Sequence, residues 1–154
     1  MSENIDELLS DLEDLGENIV DALEKGVLQA CQKIQREAKE LVPVRSSRLK
    51  NSITAQTEQE NGKVTGVVGT NVKYAPFVEF GTGPAGAASP KTLPEGINIS
   101  YRPTGWAYHD GDGFRYTNGQ PAQPFLYPAF KQNESHVLDI IANVIGEKIK
   151  KVMG

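Results

Sequence analysis

The apolar positions of the chain recur at helical spacing in two long segments, one near each end. In residues 1–41 they follow one another at intervals of three and four, as on one face of an α-helix. Pro43 comes directly after this stripe and predicts its end near residue 41. A second stripe occupies residues 124–152, where Pro124 or Pro128 suits the first helical turn. The pattern therefore predicts an N-terminal and a C-terminal helix.

The first helix carries two glycines and a strong excess of acids. Gly16 and Gly26 each lower helix stability by about 1 kcal/mol relative to alanine, so a break at either position is compatible with the sequence. Nine acids and no base precede Lys25. A stripe of this kind is typical of a surface that faces the protein core. The alternative is that the part before Gly26 extends beyond the domain and packs on a neighbouring copy.

Between the helices, residues 52–59 and 63–70 alternate between apolar and polar side chains and are rich in Val, Ile and Thr, which predicts two strands. Asn61-Gly62 at the tip is a strong signal for a hairpin, because both central residues of a type I′ turn need positive φ. A lone hairpin is marginal in water, so it must pack on a helix or pair with further strands. Residues 52–80 therefore predict a hairpin followed by a corner.

The corner is the segment Gly69–Thr82, GTNVKYAPFVEFGT. Pro76 suits the first turn of a short helix, and Gly81 can end that helix with positive φ. Phe77, Val78 and Phe80 of this segment are predicted to pack beneath the sheet. Glu79 is the one acid here, and the sequence leaves open whether it pairs with an arginine of residues 45–48 or faces a neighbouring copy.

Residues 81–123 form a long excursion that holds eight of the fifteen glycines and five of the nine prolines. Short runs at 97–102, 106–109 and 114–117 are candidate strands, so the excursion either adds strands to the sheet or is a mobile loop that orders on a partner. Residues 84–90 are the part least expected to be ordered alone. Aromatic side chains on loops often anchor interfaces. The interface candidates are Trp106, Tyr108, Phe114 and Tyr116, with packing on the parent domain as the alternative for the first two.

Together these elements predict an α+β fold in one domain of 154 residues. The long N-terminal helix and the C-terminal helix pack on one face of a small, mainly antiparallel β-sheet, and the Gly/Pro-rich loop lies between the sheet and the second helix. The predicted segments are residues 1–41, 52–80, 81–123 and 124–152. Cys31, the single cysteine, excludes an internal disulfide framework and is expected to be a small buried apolar residue.

The net charge of −4 conceals an asymmetry along the chain. Residues 1–41 carry −7 and residues 42–154 carry +3. This distribution is compatible with head-to-tail contact between copies, and it lacks the large basic excess of a protein that clamps nucleic acid. The chain has no run of eighteen apolar residues that could span a membrane, and its acidic start differs from a secretory signal.

No set of residues with a recognised catalytic spacing occurs in the chain. His109, Asp110 and Asp112 resemble part of a metal-binding loop but lack the further acids of a calcium site. A small metal-dependent hydrolase would need this turn near Glu79 or His136. A nucleic-acid-binding module that uses the basic segment 45–50 is a second alternative, which would need its cations on one surface with Lys73.

Three blocks resemble the signature of a known family. They are PVRSSRLKNSI at residues 43–53, VGTNVKYAPFVEFGT at residues 68–82 and QPFLYPA at residues 123–129. In this order they are similar to the HK97 gp10-like family, the tail-completion and head–tail joining proteins of tailed bacteriophages. The chain departs from the family pattern at Arg45-Ser46-Ser47, where Asp-Thr-Gly is usual, and at Tyr127, where Arg is common. The positions that carry the resemblance are Pro43, Leu49, Ser52, Ile53, Gly69, Tyr74, Ala75, Pro76, Val78, Glu79, Phe80, Gly81, Thr82, Pro124, Phe125, Leu126, Pro128 and Ala129.

The resemblance implies a structural virion protein of a tailed bacteriophage or prophage, without enzymatic activity and without a cofactor or metal. It implies tail completion or head–tail joining at the neck by a ring of identical subunits. Whether these subunits are monomers before assembly is left open. The implied partners are other copies of the chain, the connector or adaptor, and tail-tube or tail-terminator proteins. Neither a membrane nor nucleic acid is expected as a partner. The implied location is the virion neck or tail, with assembly in the cytoplasm of the bacterial host.

Overall fold

The computed structural model describes residues 2–153 and contains five helices and four strands in that range. Met1, the first residue of the predicted N-terminal helix, lies outside the described residues. In chain order the elements are α1 (Ser2–Leu41), α2 (Ser47–Ser52), β1 (Thr54–Glu60), β2 (Lys63–Gly69), α3 (Ala75–Phe80), α4 (Gly83–Ala88), β3 (Trp106–His109), β4 (Phe114–Thr117) and α5 (Leu126–Met153).

The α+β class with two long terminal helices is confirmed, but the strands form two sheets instead of one. Strands β1 and β2 make one two-stranded sheet, and β3 and β4 make another. The excursion therefore contributes strands that pair only with each other. Within the described residues, no strand forms at 97–102. No described helix combines the length and the apolar character that crossing a bilayer requires.

The chain divides into two compact units, and both are built from separate stretches of sequence. Residues 2–35, 54–68 and 132–153 make the first, and residues 36–53 and 69–131 make the second. Helices α1 and α5 each contribute to both units. The single-domain organisation stays a prediction.

In the first unit, α1 is contacted by the β1–β2 hairpin and by α5 at two glycines. A Cβ added to Gly66 on β2 would lie 2.7 Å from Cγ1 of Val27 and would also meet the Sγ atom of Cys31. A Cβ added to Gly26 on α1 would lie 3.0 Å from the Cα atom of Ile141 on α5. Each glycine thus permits a close approach, and α1 stays helical through Gly26 without a break. The thiol of Cys31 is buried as predicted, and this burial raises its pKa.

The hairpin tip follows the sequence prediction. Asn61 and Gly62 both have positive φ, 53° and 77°, as a type I′ turn requires. The turn conformation thus follows from the two residues that form it.

In the second unit, the predicted corner helix is present and a neighbouring helix was missed. Helix α3 has proline in its first turn and ends at Gly81, which has a φ of 75°. Residues 47–52, the last of which was predicted to begin a strand, form the short helix α2, whose Leu49 is fully buried. The prediction that Phe77, Val78 and Phe80 pack beneath the sheet is wrong for Phe77, which is 53% exposed.

Candidate assembly surfaces

The most organised polar group in the second unit is the carboxylate of Glu79. Its Oε2 atom accepts hydrogen bonds from the backbone N–H groups of Phe125 and Leu126, at 2.8 and 3.0 Å. Its Oε1 atom accepts one from Tyr127 at 2.9 Å. These donors belong to the first turn of α5, where N–H groups have no partner within the helix and where a negative charge is favoured. Glu79, only 7% exposed, therefore caps α5.

The cap answers the question that the sequence left open for Glu79. The partners of its carboxylate are backbone amides of the same chain, and neither an arginine of residues 45–48 nor a neighbouring copy is needed to satisfy it. One more bond joins the same two segments, because the N–H of Gln123 donates to the carbonyl oxygen of Val78 at 2.8 Å. The block at residues 123–129 is thus held against the block at residues 68–82.

The block at residues 43–53 is linked to the same corner through side-chain hydroxyls. The Oγ atom of Ser52 donates to the carbonyl oxygen of Leu49 and lies 2.6 Å from the Oγ1 atom of Thr70. The N–H of Val72 in turn donates to Thr70 Oγ1 at 3.1 Å. Hydrogen bonds therefore connect all three blocks within the second unit.

The eighteen positions that carry the resemblance all lie in the second unit, and some of them form its interior. The buried members are Leu49, Ile53, Ala75, Glu79, Gly81, Phe125 and Ala129. A role for any of these positions in contact with other proteins stays a prediction, and the half-buried and exposed members are the ones available for it.

The first residues of the excursion pack closely against later residues of the same excursion. A Cβ added to Gly81 would lie 2.6 Å from the backbone N atom of Ala122, and one added to Gly83 would lie 2.7 Å from the Trp106 ring. Thr82 and Gln120 pair as an isolated β-bridge. Residues 84–88, which belong to the part least expected to be ordered alone, lie in helix α4.

The four aromatic interface candidates divide into two groups. Trp106 is half-buried, with its ring against Gly83 and the guanidinium of Arg102 5.2 Å from the ring centre. Tyr108, Phe114 and Tyr116 are 44, 82 and 69% exposed. Trp106 thus packs within its own unit, and the other three candidates reach solvent.

Strand register places two of these aromatics on one face. Ala107 pairs with Tyr116 and His109 pairs with Phe114, so these four side chains share one side of the β3–β4 hairpin. The rings of His109 and Phe114 meet edge to face with centroids 5.2 Å apart. We call this exposed surface, made of Ala107, His109, Phe114 and Tyr116, the aromatic face. Exposed apolar surface of this kind marks contact sites for other molecules.

The turn that joins β3 to β4 is organised by Asp110. Its carboxylate accepts hydrogen bonds from the side chain of Arg115 at 2.6 Å and from the backbone N–H groups of Asp112 and Gly113. The hydrogen bond from Arg115, followed by those from the backbone, lowers the pKa of Asp110. No group of three or more potential metal ligands of the His, Cys, Asp or Glu type occurs among the residues that the structure describes.

The remaining sequence candidates lie on exposed surface. Arg45, Arg48, Lys50 and Lys73, the cations named for nucleic-acid contact, are all exposed in the second unit. His136 is exposed in the first unit, on α5.

The sequence did not identify Glu79 as a helix cap. One signal was present: Gln123-Pro124-Phe125 precedes α5 and contains none of the Ser, Thr, Asp or Asn residues that usually cap a helix. A long helix that lacks its own cap indicates an acceptor elsewhere in the chain.

Comparison with known proteins gives one family. Residues 6–81 match the model of the family described as "Bacteriophage HK97-gp10, putative tail-component". No curated protein and no solved structure matches the chain. The matched stretch contains the first block and all of the second except Thr82, and the third block is the one that Glu79 holds in place.

Proposed function

We propose that the chain, whose residues 6–81 match the family model of an HK97-gp10-like bacteriophage tail component, completes the tail or joins it to the head at the virion neck. It acts there as a ring of identical subunits, placed between the connector or adaptor and the tail-tube or tail-terminator proteins. Assembly takes place in the cytoplasm of the bacterial host. The protein works by binding, and no turnover of a substrate is involved.

The observation that supports this proposal most is the exposed aromatic face on the β3–β4 hairpin. Phe114 and Tyr116 stay exposed, and Asp110 holds the turn between their hairpin strands in place. Aromatic side chains in a fixed backbone bind with a small loss of conformational entropy, which favours their use as interface anchors. The aromatic face is therefore the surface that docks on a neighbouring virion protein.

The test is the double variant Phe114→Ser, Tyr116→Ser, supplied to a phage that lacks the wild-type chain. We expect the variant to fold, because both side chains are mostly exposed, and to reduce the yield of joined particles at least tenfold. Electron microscopy counts joined particles against separate heads and tails, and circular dichroism reports folding.

Leu138→Ser is the matched control, since Leu138 is 75% exposed on α5 and lies outside the aromatic face. It should support joining as the wild type does. A folded double variant that joins heads to tails as well as the control would contradict the proposed role of the aromatic face.

A further inference from the structure

The N-terminal end of α1 extends beyond the helix that packs on it. A groove in the first unit is lined by Asp21 and Lys25 on α1 and by Glu147 and Lys151 on α5. Together with the crossing at Gly26 and Ile141, this lining shows that the two helices run in opposite directions. From Ile141, at the crossing, to its end at Met153, α5 is about 18 Å long at 1.5 Å per residue. Because the helices run in opposite directions, the end of α5 lies beside α1 near residue 14.

Residues 5–14, here called the arm, therefore lie beyond α5 and expose apolar side chains. Ile5, Leu8 and Leu9 are 58, 58 and 54% exposed. Their spacing of three and four places them on one side of the helix, as in a helix that packs on another helix. Leu15, the next apolar residue after the arm, is already half-buried.

The charge of the arm restricts what can cover this apolar surface. The arm contains Asp6, Glu7, Asp11, Glu13 and Asp14 and no lysine or arginine. Two arms packed together would bring like charges into contact, which is unfavourable. The occupant must therefore combine apolar side chains with positive charge.

The C-terminal end of α5 has this combination. Lys148, Lys150 and Lys151 surround Ile149 and Val152, which are 36 and 45% exposed. The helix macrodipole favours lysines at a helix C-terminus. It does not account for the exposed apolar side chains that lie between them. Lys148 and Lys151 line the groove together with Asp21 and Glu147 of their own chain, but within the described part of the chain they form no ion pair with these acids. We call residues 148–152 the basic end.

We propose that the arm of one copy docks on the basic end of a second copy. Because α1 is continuous from Ser2 to Leu41, the arm cannot fold back onto the basic end of its own chain. A contact between two different surfaces of identical chains is heterologous, and it closes into a ring when the rotation between copies permits. The inference specifies how copies meet in the proposed ring and rests on that part of the proposed function.

The test is charge reversal on each side of the contact. The arm variant carries Asp6→Lys, Glu7→Lys and Asp11→Lys, and the basic-end variant carries Lys148→Glu, Lys150→Glu and Lys151→Glu. Sedimentation equilibrium measures association of the full chain up to about 1 mM, where even a millimolar dissociation constant is detected. We expect wild-type association that weakens with salt, at least tenfold weaker association of each variant alone, and recovery in an equimolar mixture of the two.

The control Glu58→Lys, Glu60→Lys reverses charge at the tip of the β1–β2 hairpin and should associate as the wild type does. A wild-type protein that stays monomeric at about 1 mM, or a mixture that does not recover, overturns the inference. Head–tail joining is scored separately for each variant. Joining without association through the arm refutes the inference alone, whereas association without any role in joining refutes the proposed function alone.

Discussion

At the scale of single residues, Glu79 shows how a buried acid is used to connect distant segments. Its carboxylate receives three backbone hydrogen bonds from residues 46 to 48 positions further along the chain. Hydrogen bonds to a charged acceptor are stronger than neutral ones, and an anion at a helix N-terminus gains from the macrodipole as well. The acid of the family-like corner thus caps the start of α5.

Substitution of Glu79 by Gln should reduce the stability of the protein. The amide has nearly the same size as the carboxylate, but it carries no charge and places an NH2 donor opposite backbone N–H donors. The free energy of unfolding should therefore fall by about 1–3 kcal/mol. Urea denaturation followed by circular dichroism measures this change. The control is Glu95→Gln, at an exposed position of the same unit. Equal stability of the two variants would show that the cap contributes little.

Asp110 provides a second prediction at this scale. Since its pKa is lowered chiefly by Arg115, the variant Arg115→Gln should raise that pKa toward its ordinary value of 3.8. The pairing with Arg115 needs the charged form of Asp110. It therefore stabilises the turn at neutral pH, and this stabilisation is lost as pH falls through the lowered pKa. An NMR titration of the Asp110 carboxyl group measures the shift. The control Arg102→Gln, at the cation near Trp106, should leave it unchanged, and an unchanged titration in Arg115→Gln would refute the assignment.

At the scale of elements, α1 contains two glycines with different surroundings. Nothing lies within 4 Å of a Cβ added to Gly16, whereas one added to Gly26 meets the backbone of Ile141 at 3.0 Å. Both glycines lower helix propensity equally, so the helix alone cannot distinguish them. The close approach of α5 explains why a glycine suits position 26.

Valine at each position tests this difference. Gly26→Val should destabilise the protein by about 1–3 kcal/mol, because the added atoms force α1 and α5 apart. Gly16→Val should be neutral or slightly stabilising, since valine has the better helix propensity and meets no neighbour. Thermal unfolding of the two variants provides the comparison. If both change stability by the same amount, the helices do not meet closely at Gly26.

The elements that could be predicted from sequence are those with a strong local pattern. Both long helices follow from their apolar stripes, and the first hairpin follows from Asn61-Gly62, whose backbone conformation is set by its own residues. Helices α2 and α4 contain six residues each, which is too short for a periodic pattern to appear. Their formation depends on contacts elsewhere, such as the burial of Leu49.

The candidate surfaces could be predicted only in part for the same reason. The sequence identified the aromatic residues of β3 and β4, but only strand register shows that Phe114 and Tyr116 share a face while Trp106 packs on Gly83. The cap by Glu79 depends on a contact across 46 positions, which no local pattern contains.

At the scale of the whole molecule, the family-like blocks and the arm fall in different units. The eighteen positions that carry the resemblance all lie in the second unit, where the hydrogen bonds of Glu79 and Ser52 join the three blocks. The arm and the basic end both lie in the first unit. A phage tail component needs a stable interior and surfaces for its neighbours, and the aromatic face and the arm are the proposed surfaces. We propose on this basis that the chain joins two parts of the virion by binding to both.

Electron microscopy of a lysate from a phage with a stop codon at Glu7 tests that claim most directly. We expect filled heads and finished tails that remain separate, and joined particles after purified wild-type chain is added to the lysate. Joined, infectious particles without the chain, or separate parts that the purified chain does not unite, would contradict it.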